Sequence, residues 1–188
     1  FDLCKGTIIG VTGTKGKGTT ATMLYKMLKA AKKRVFLVGN IGKPALEYIK
    51  KIKKGDIVVM ELSSFQLQHL RKSPHIAIVL DVTVDHLDHH KNTKEYRDAK
   101  KNIVAYQKKS DVAILDTDSP IVRLFAKHTK AKVFCFGSKE KTWITRQDVC
   151  VPGTHNLKNA SAATLAAERM GVSREVILKG LMRFKGNE

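Results

Sequence analysis

Six short segments of this chain are apolar almost without interruption, at residues 7–12, 34–38, 56–61, 76–80, 111–115 and 132–136. A strand with one face in water alternates apolar and polar residues, whereas a strand covered on both faces does not need to. Between these runs lie stretches with apolar residues at helical spacing, as at Met23, Leu24, Met27 and Leu28. They predict helices over 19–31, 93–107, 121–129, 156–170 and 173–184, and a short one over 45–52. Strands alternating with helices in this way predict an α/β fold with a mostly parallel central sheet flanked by helices. Residues 143–151 read as an additional edge strand, forming a small edge hairpin.

A length of 188 residues with 43% apolar content suits a single domain with its own core. No apolar run approaches the ~18–20 residues that span a bilayer. Cys4, Cys135 and Cys150 have no metal-binding or redox spacing, and such a sparse, odd set reads as reduced thiols in a cytoplasmic protein. The chain opens on Phe1 and closes on Lys185-Gly-Asn-Glu188, the ends expected of a piece of a longer protein, here a monomer. A net charge of +18 attracts polyanions. However, the lysines are dispersed, and with 6% aromatic content none interleave as a stacking platform for single strands. The charge therefore reads as solvated helix faces, and no nucleic-acid or membrane partner is expected.

The stretch Gly10-Val-Thr-Gly-Thr-Lys-Gly-Lys-Gly-Thr-Thr20 follows a predicted strand and opens a predicted helix. In that context free backbone N–H groups and the helix dipole favour an anion, and Lys17 adds a point charge for the β- and γ-phosphates. The loop departs from the usual G-x-x-x-x-G-K-[ST] spelling: Val11 stands at the first glycine and Gly18 follows the lysine. Thr19 and Thr20 are next in line to serve a metal or a phosphate oxygen. Glu61 ends an apolar run, where a carboxylate suits Mg²⁺ or simply faces water. Asp85-His-Leu-Asp-His-His90 leaves zinc, a Mg²⁺–nucleotide role and a plain loop open. On composition alone Lys100 is a helix-surface lysine, and Asn156 a helix cap.

Taken together, the ordered series Thr12-Gly-Thr-Lys-Gly-Lys17, Gly39-Asn-Ile-Gly42, Glu61-Leu-Ser-Ser-Phe-Gln-Leu67, Asp85-His-Leu-Asp88, Tyr96-Arg-Asp-Ala-Lys100 and His155-Asn-Leu-Lys-Asn159 resembles the Mur ligases, and most of all their D-glutamate-adding branch. The resemblance covers nearly the whole chain. It implies a P-loop NTPase-like central ATP-binding domain over residues 1–188, flanked in the whole protein by an N-terminal UDP-binding domain and a C-terminal amino-acid-binding domain. The implied reaction is peptidoglycan-precursor ligation of UDP-N-acetylmuramoyl-L-alanine to D-glutamate through an acyl phosphate, with ATP and two Mg²⁺. The isolated domain is expected to be inactive in ligation.

The resemblance further implies ATP contacts from Gly13, Thr14, Lys15, Gly16, Lys17, Gly18, Thr19, Thr20, Asn156 and Asn159. It implies metal ligands at Thr19, Glu61, His86 and a CO₂-derived carbamate on Lys100. The catalytic set is then Lys17, Glu61, His86 and Lys100, and Asn40, Ser63, Gln66 and His86 face the muramoyl-alanine substrate. The chain departs from the family pattern at Lys15, Gly18 and Asp81. Gly18 brings it nearer the related folylpolyglutamate synthetases, an assignment that segment 61–67 opposes. The charge also admits a basic nucleic-acid-binding module, and the loop a regulatory module that binds ATP without ligating.

Overall fold

The computed structural model describes residues 1–40, 44–83 and 91–186. Its six strands are β1 (Thr7–Thr12), β2 (Val35–Gly39), β3 (Ile57–Glu61), β4 (Ile76–Val79), β5 (Val112–Asp116) and β6 (Lys132–Phe136). They form one sheet in the order β2-β3-β1-β4-β5-β6, and every neighbouring pair runs parallel. The helices are α1 (Lys17–Ala30), α2 (Ala45–Tyr48), α3 (Ser64–Gln68), α4 (Thr93–Ala105), α5 (Pro120–Phe125), α6 (Thr154–Arg169) and α7 (Arg174–Met182).

The uninterrupted apolar runs are explained by how the strands divide their side chains. Ile76 and Ile78 of β4 join Ile9, Val11 and Ile114 in a core shared with α1, α6 and α7. Their neighbours Ala77 and Val79 turn to the other face, where Ala113, Leu115, Leu67, Tyr96 and Ile103 form a second core beneath α3, α4 and α5. With helices on both faces, neither set of alternating positions meets water.

Two expectations are corrected. Residues 143–151 form no strand, and among the described residues there is no edge hairpin. A 3₁₀ turn at Arg146–Asp148 is closed by Asp148, whose carboxylate accepts from both the Thr145 amide and hydroxyl at 2.7 Å. Ile144, Val149 and Val151 then bury in the first core, so burial rather than strand pairing accounts for the apolar spacing. In addition, α1 begins at Lys17, two residues before the expected start, which places Lys17 and Gly18 in its first turn.

Chain order positions the site. After β1 the chain runs through α1 toward β2; after β4 it goes to α4 and on to β5 on the other side. Helices α1 and α4 thus leave to opposite faces, and the crevice beyond the carboxyl ends of β1 and β4 lies where an α/β sheet accepts ligands.

Candidate nucleotide site

The loop 13–16 joins β1 to α1. Gly16, the residue before the helix, has φ 82°, a left-handed conformation that costs glycine little. A Cβ there would stand 2.5 Å from Oδ1 of Asn159, so its absence lets α6 close against the loop. At Gly13 a Cβ would stand 2.6 Å from that of Leu80, bringing the loop equally close to the end of β4. The first turn of α1 carries no side-chain cap and no acidic residue. The N–H groups of that turn and its positive dipole end are those an anion would meet.

Three ionisable side chains gather around this loop. Lys17 is half-buried and donates from Nζ to the Thr14 carbonyl at 3.0 Å. Glu61, 6% exposed at the carboxyl end of β3, has an Oε2 with no hydrogen-bond partner among the described residues. Burial raises its pKa above the usual carboxylate value, opposed by attraction to Lys17. Lys100, on α4, is 2% exposed. Its Nζ donates to the Gly13 carbonyl at 2.8 Å and lies 4.7 Å from the centroid of the Tyr96 ring. Burial, with repulsion from Lys17, lowers its pKa to about 7, and among the described residues it has no carboxylate partner. The helix-surface reading of Lys100 is thus overturned: the interior of α4 turns toward the loop, and lysine position alone carries no record of that.

Other polar contacts fix the frame. Thr14 donates its amide to the Asp81 carbonyl at 2.7 Å, and its hydroxyl lies 3.1 Å from that of Tyr96. Thr83 donates its amide to Thr14 Oγ1 at 3.0 Å. Thr20 is buried with its Oγ1 unpartnered among the described residues. Lys15 and Thr19 line a cleft of about 520 Å³ with Gly16, Leu80, Asp81, Asp116, Phe136, His155, Lys158 and Asn159. A larger hollow of about 840 Å³, bordered by His75 and Asp111, lies at the opposite, amino-terminal ends of β4 and β5. It lies away from the glycine loop, so the smaller cleft, which takes in Gly16 and Thr19, is the better site.

The remaining expected residues fall into three groups. Asn156 donates to the Pro152 carbonyl, and Asn159 donates to Asn156 at 3.3 Å, so the pair forms one unit at the start of α6. Ser63 and Gln66 form a reciprocal capping box at α3, with Gln66 Oε1 accepting from the Ser63 amide at 2.9 Å, and Asn40 is exposed after β2. His86, with the rest of 84–90, lies outside the described residues, as do positions 41–43. The structure therefore brings together the loop, Lys17, Glu61, Lys100 and Asn159.

Sequence reasoning missed a second charged cluster, which reaches the same cleft through Asp116 and Lys158. Lys158 Nζ lies 2.8 Å from Asp116 Oδ2 and 2.9 Å from Asp118 Oδ2, and Ser138 donates its hydroxyl to Asp118 at 2.8 Å. Asp116 carries the signal that singled out Glu61, an acid ending an apolar run, and Lys158 sits inside the motif 155–159.

Among the described residues no helix is long and apolar enough to cross a membrane. The model of the Mur ligase middle domain matches residues 11–151. The chain is 41% identical to the UDP-N-acetylmuramoylalanine--D-glutamate ligase of Acetivibrio thermocellus, aligned over 100% of this chain and 45% of that protein. It is 36% identical to the enzyme of the same name from Symbiobacterium thermophilum, over 100% and 46%. The chain thus spans about half the length of the curated relatives it matches. In fold it matches MurF from Acinetobacter baumannii with a TM-score of 0.80 at 23% identity, covering 100% of this chain and 47% of that one. MurF ligase from Thermotoga maritima in complex with ADP matches at 0.77 and 23% identity, over 99% and 50%.

Proposed function

The chain belongs to the Mur ligase middle-domain family, and from that premise we propose that it is the central, ATP-binding domain of a cytoplasmic UDP-N-acetylmuramoylalanine–D-glutamate ligase. In this reading the whole protein adds D-glutamate to UDP-N-acetylmuramoyl-L-alanine during peptidoglycan precursor synthesis. N- and C-terminal domains supply the grip on the UDP moiety and on the amino acid, so the central domain by itself binds nucleotide and does not ligate. The observation that carries the reading is the convergence of a half-buried lysine, a buried unpartnered carboxylate and a buried amine on one uncapped helix start.

The residues present fit a divalent cation. A buried carboxylate oxygen without a partner is costly unless something positive completes it, and hard cations take oxygen donors. Glu61 and Thr19 would hold one Mg²⁺, with His86 and a carbamate on Lys100 at a second. Mg²⁺ when bound would supply neutralising charge on the transferring phosphoryl group. The protein's own groups do the rest. The amides of α1 and the Lys17 ammonium bind the triphosphate and stabilise charge as the substrate carboxylate oxygen bonds to the γ-phosphorus and the bond to the β–γ bridging oxygen breaks, releasing ADP.

Lys100 suits carbamate formation because its amine, with a pKa of about 7, is substantially neutral near neutral pH. The neutral nitrogen forms a bond to the carbon of CO₂ and releases a proton, turning a repelled cation into an oxygen donor. Asn40, Ser63 and Gln66 would contact the muramoyl-alanine portion, with the capping box of α3 fixing the last two. The test is phosphate release by the intact parent protein with ATP, UDP-N-acetylmuramoyl-L-alanine and a panel of amino acids. D-glutamate-dependent release is expected; a preference for another amino acid, or none, would overturn the assignment.

A further inference from the structure

Beside the glycine loop the cleft is lined by Lys15, Asp81 and the start of α1 at Thr19. It is also lined by Asp116 and Lys158, and Lys158 bridges Asp116 to Asp118.

We propose that Lys158 is a nucleoside-recognising residue of this cleft, donating to an acceptor on the ribose or the purine ring while Asp116 and Asp118 hold it in place. The proposal rests on the nucleotide reading above and assigns one contact within it. An ammonium has three donors, of which two meet Asp116 and Asp118, leaving one for a ligand. Lys158 lines the cleft and is a third exposed, whereas Asp116 beneath it is almost wholly buried. It sits one residue before Asn159, which closes on Gly16, so the same helical turn touches both the loop and the Asp116–Asp118 pair.

The anchoring is firm on the carboxylate side. Asp116 Oδ1 also accepts the Asp118 amide at 2.9 Å, and Asp118 accepts both the amide and the hydroxyl of Ser138. The bond from Lys158, followed by those from Ser138, lowers the pKa of Asp118 to about 2. Burial pulls the Lys158 pKa down, but its bonds to the two aspartates outweigh this and raise it. Lys158 and Asp118 thus stay ionised at neutral pH.

The experiment compares Mg²⁺-ATP with Mg²⁺-tripolyphosphate, which has the phosphates but no nucleoside, by calorimetry on the 188-residue chain. Lys158→Met should weaken ATP about tenfold, the value of one charged hydrogen bond, and leave tripolyphosphate unchanged. Lys158→Arg, which keeps charge and donors, should restore ATP to within about threefold. Equal weakening of both ligands would show a purely structural tie, and no weakening of either would show no contact; each overturns the proposal. Should the Met variant fail to fold, Lys158→Gln reads the same ratio. If wild type binds tripolyphosphate and ATP alike and Lys17→Ala changes neither, the nucleotide reading itself fails, which is a distinct result.

Discussion

Around the glycine loop, Glu61 and Lys100 are 6% and 2% exposed, and neither meets an opposite charge within salt-bridge distance among the described residues. Beside α6, Asp116 is 1% exposed but meets Lys158 at 2.8 Å and the amide of Asp118 at 2.9 Å. Burial is equal and bonding is not. A charge satisfied within the chain has its desolvation offset, whereas one left incomplete weakens the fold until something else arrives. The contrast separates groups that await a ligand from groups that hold other groups in place.

The comparison breaks most visibly at Lys100. In the whole ligase Lys100→Ala should lower activity at least about a thousandfold, in line with removal of a major charge-stabilising group, and added bicarbonate should not restore it. An active variant would discard the carbamate.

The same residue gives a pH signature. With a folded pKa of about 7 against an ordinary 10.5, the unfolded chain binds more protons between those values, so stability rises with pH across that window. Relative to Lys100→Met in CO₂-free, Mg²⁺-free buffer, wild type should gain on the order of 3 kcal/mol from pH 7 to 10. Parallel denaturation curves for the two proteins would contradict the burial of a bare amine.

Two acid-to-amide changes should then act with opposite sign. Asp116→Asn should destabilise by about 2 kcal/mol, less than a fully buried pair because Lys158 is partly exposed and keeps Asp118. Glu61→Gln should stabilise the metal-free chain by about 1 kcal/mol, because it removes a desolvated charge without a partner. Saturating Mg²⁺ and ATP should reverse the second effect. Urea midpoints of the same sign for both variants would erase the distinction.

Much of the fold was legible because a doubly covered parallel strand must be apolar on both faces, as Ile76-Ala-Ile-Val79 shows when it divides between two cores. The edge hairpin was misread because Ile144, Val149 and Val151 have strand-like spacing that burial beside a 3₁₀ turn satisfies equally well. Helix α3 carries its own signal in the Ser63–Gln66 capping box, but at five residues it is too short for a helical period. At the site, the glycine loop announces itself because only glycine tolerates the Gly16 geometry against Asn159. Lys100 and Lys158 do not. Whether a lysine points to water, to a loop carbonyl or between two aspartates is decided by packing of distant elements, not by its neighbours in sequence.

The account depends on one proposition, that the groups around the loop are completed by a nucleotide with its divalent cation. Titrating ATP into the 188-residue chain with and without Mg²⁺, alongside Lys17→Ala, tests it directly. The expected result is Mg²⁺-dependent binding that the variant loses by roughly a hundredfold, about 2.7 kcal/mol. Binding that ignores Mg²⁺, or an affinity unchanged in the variant, would contradict it.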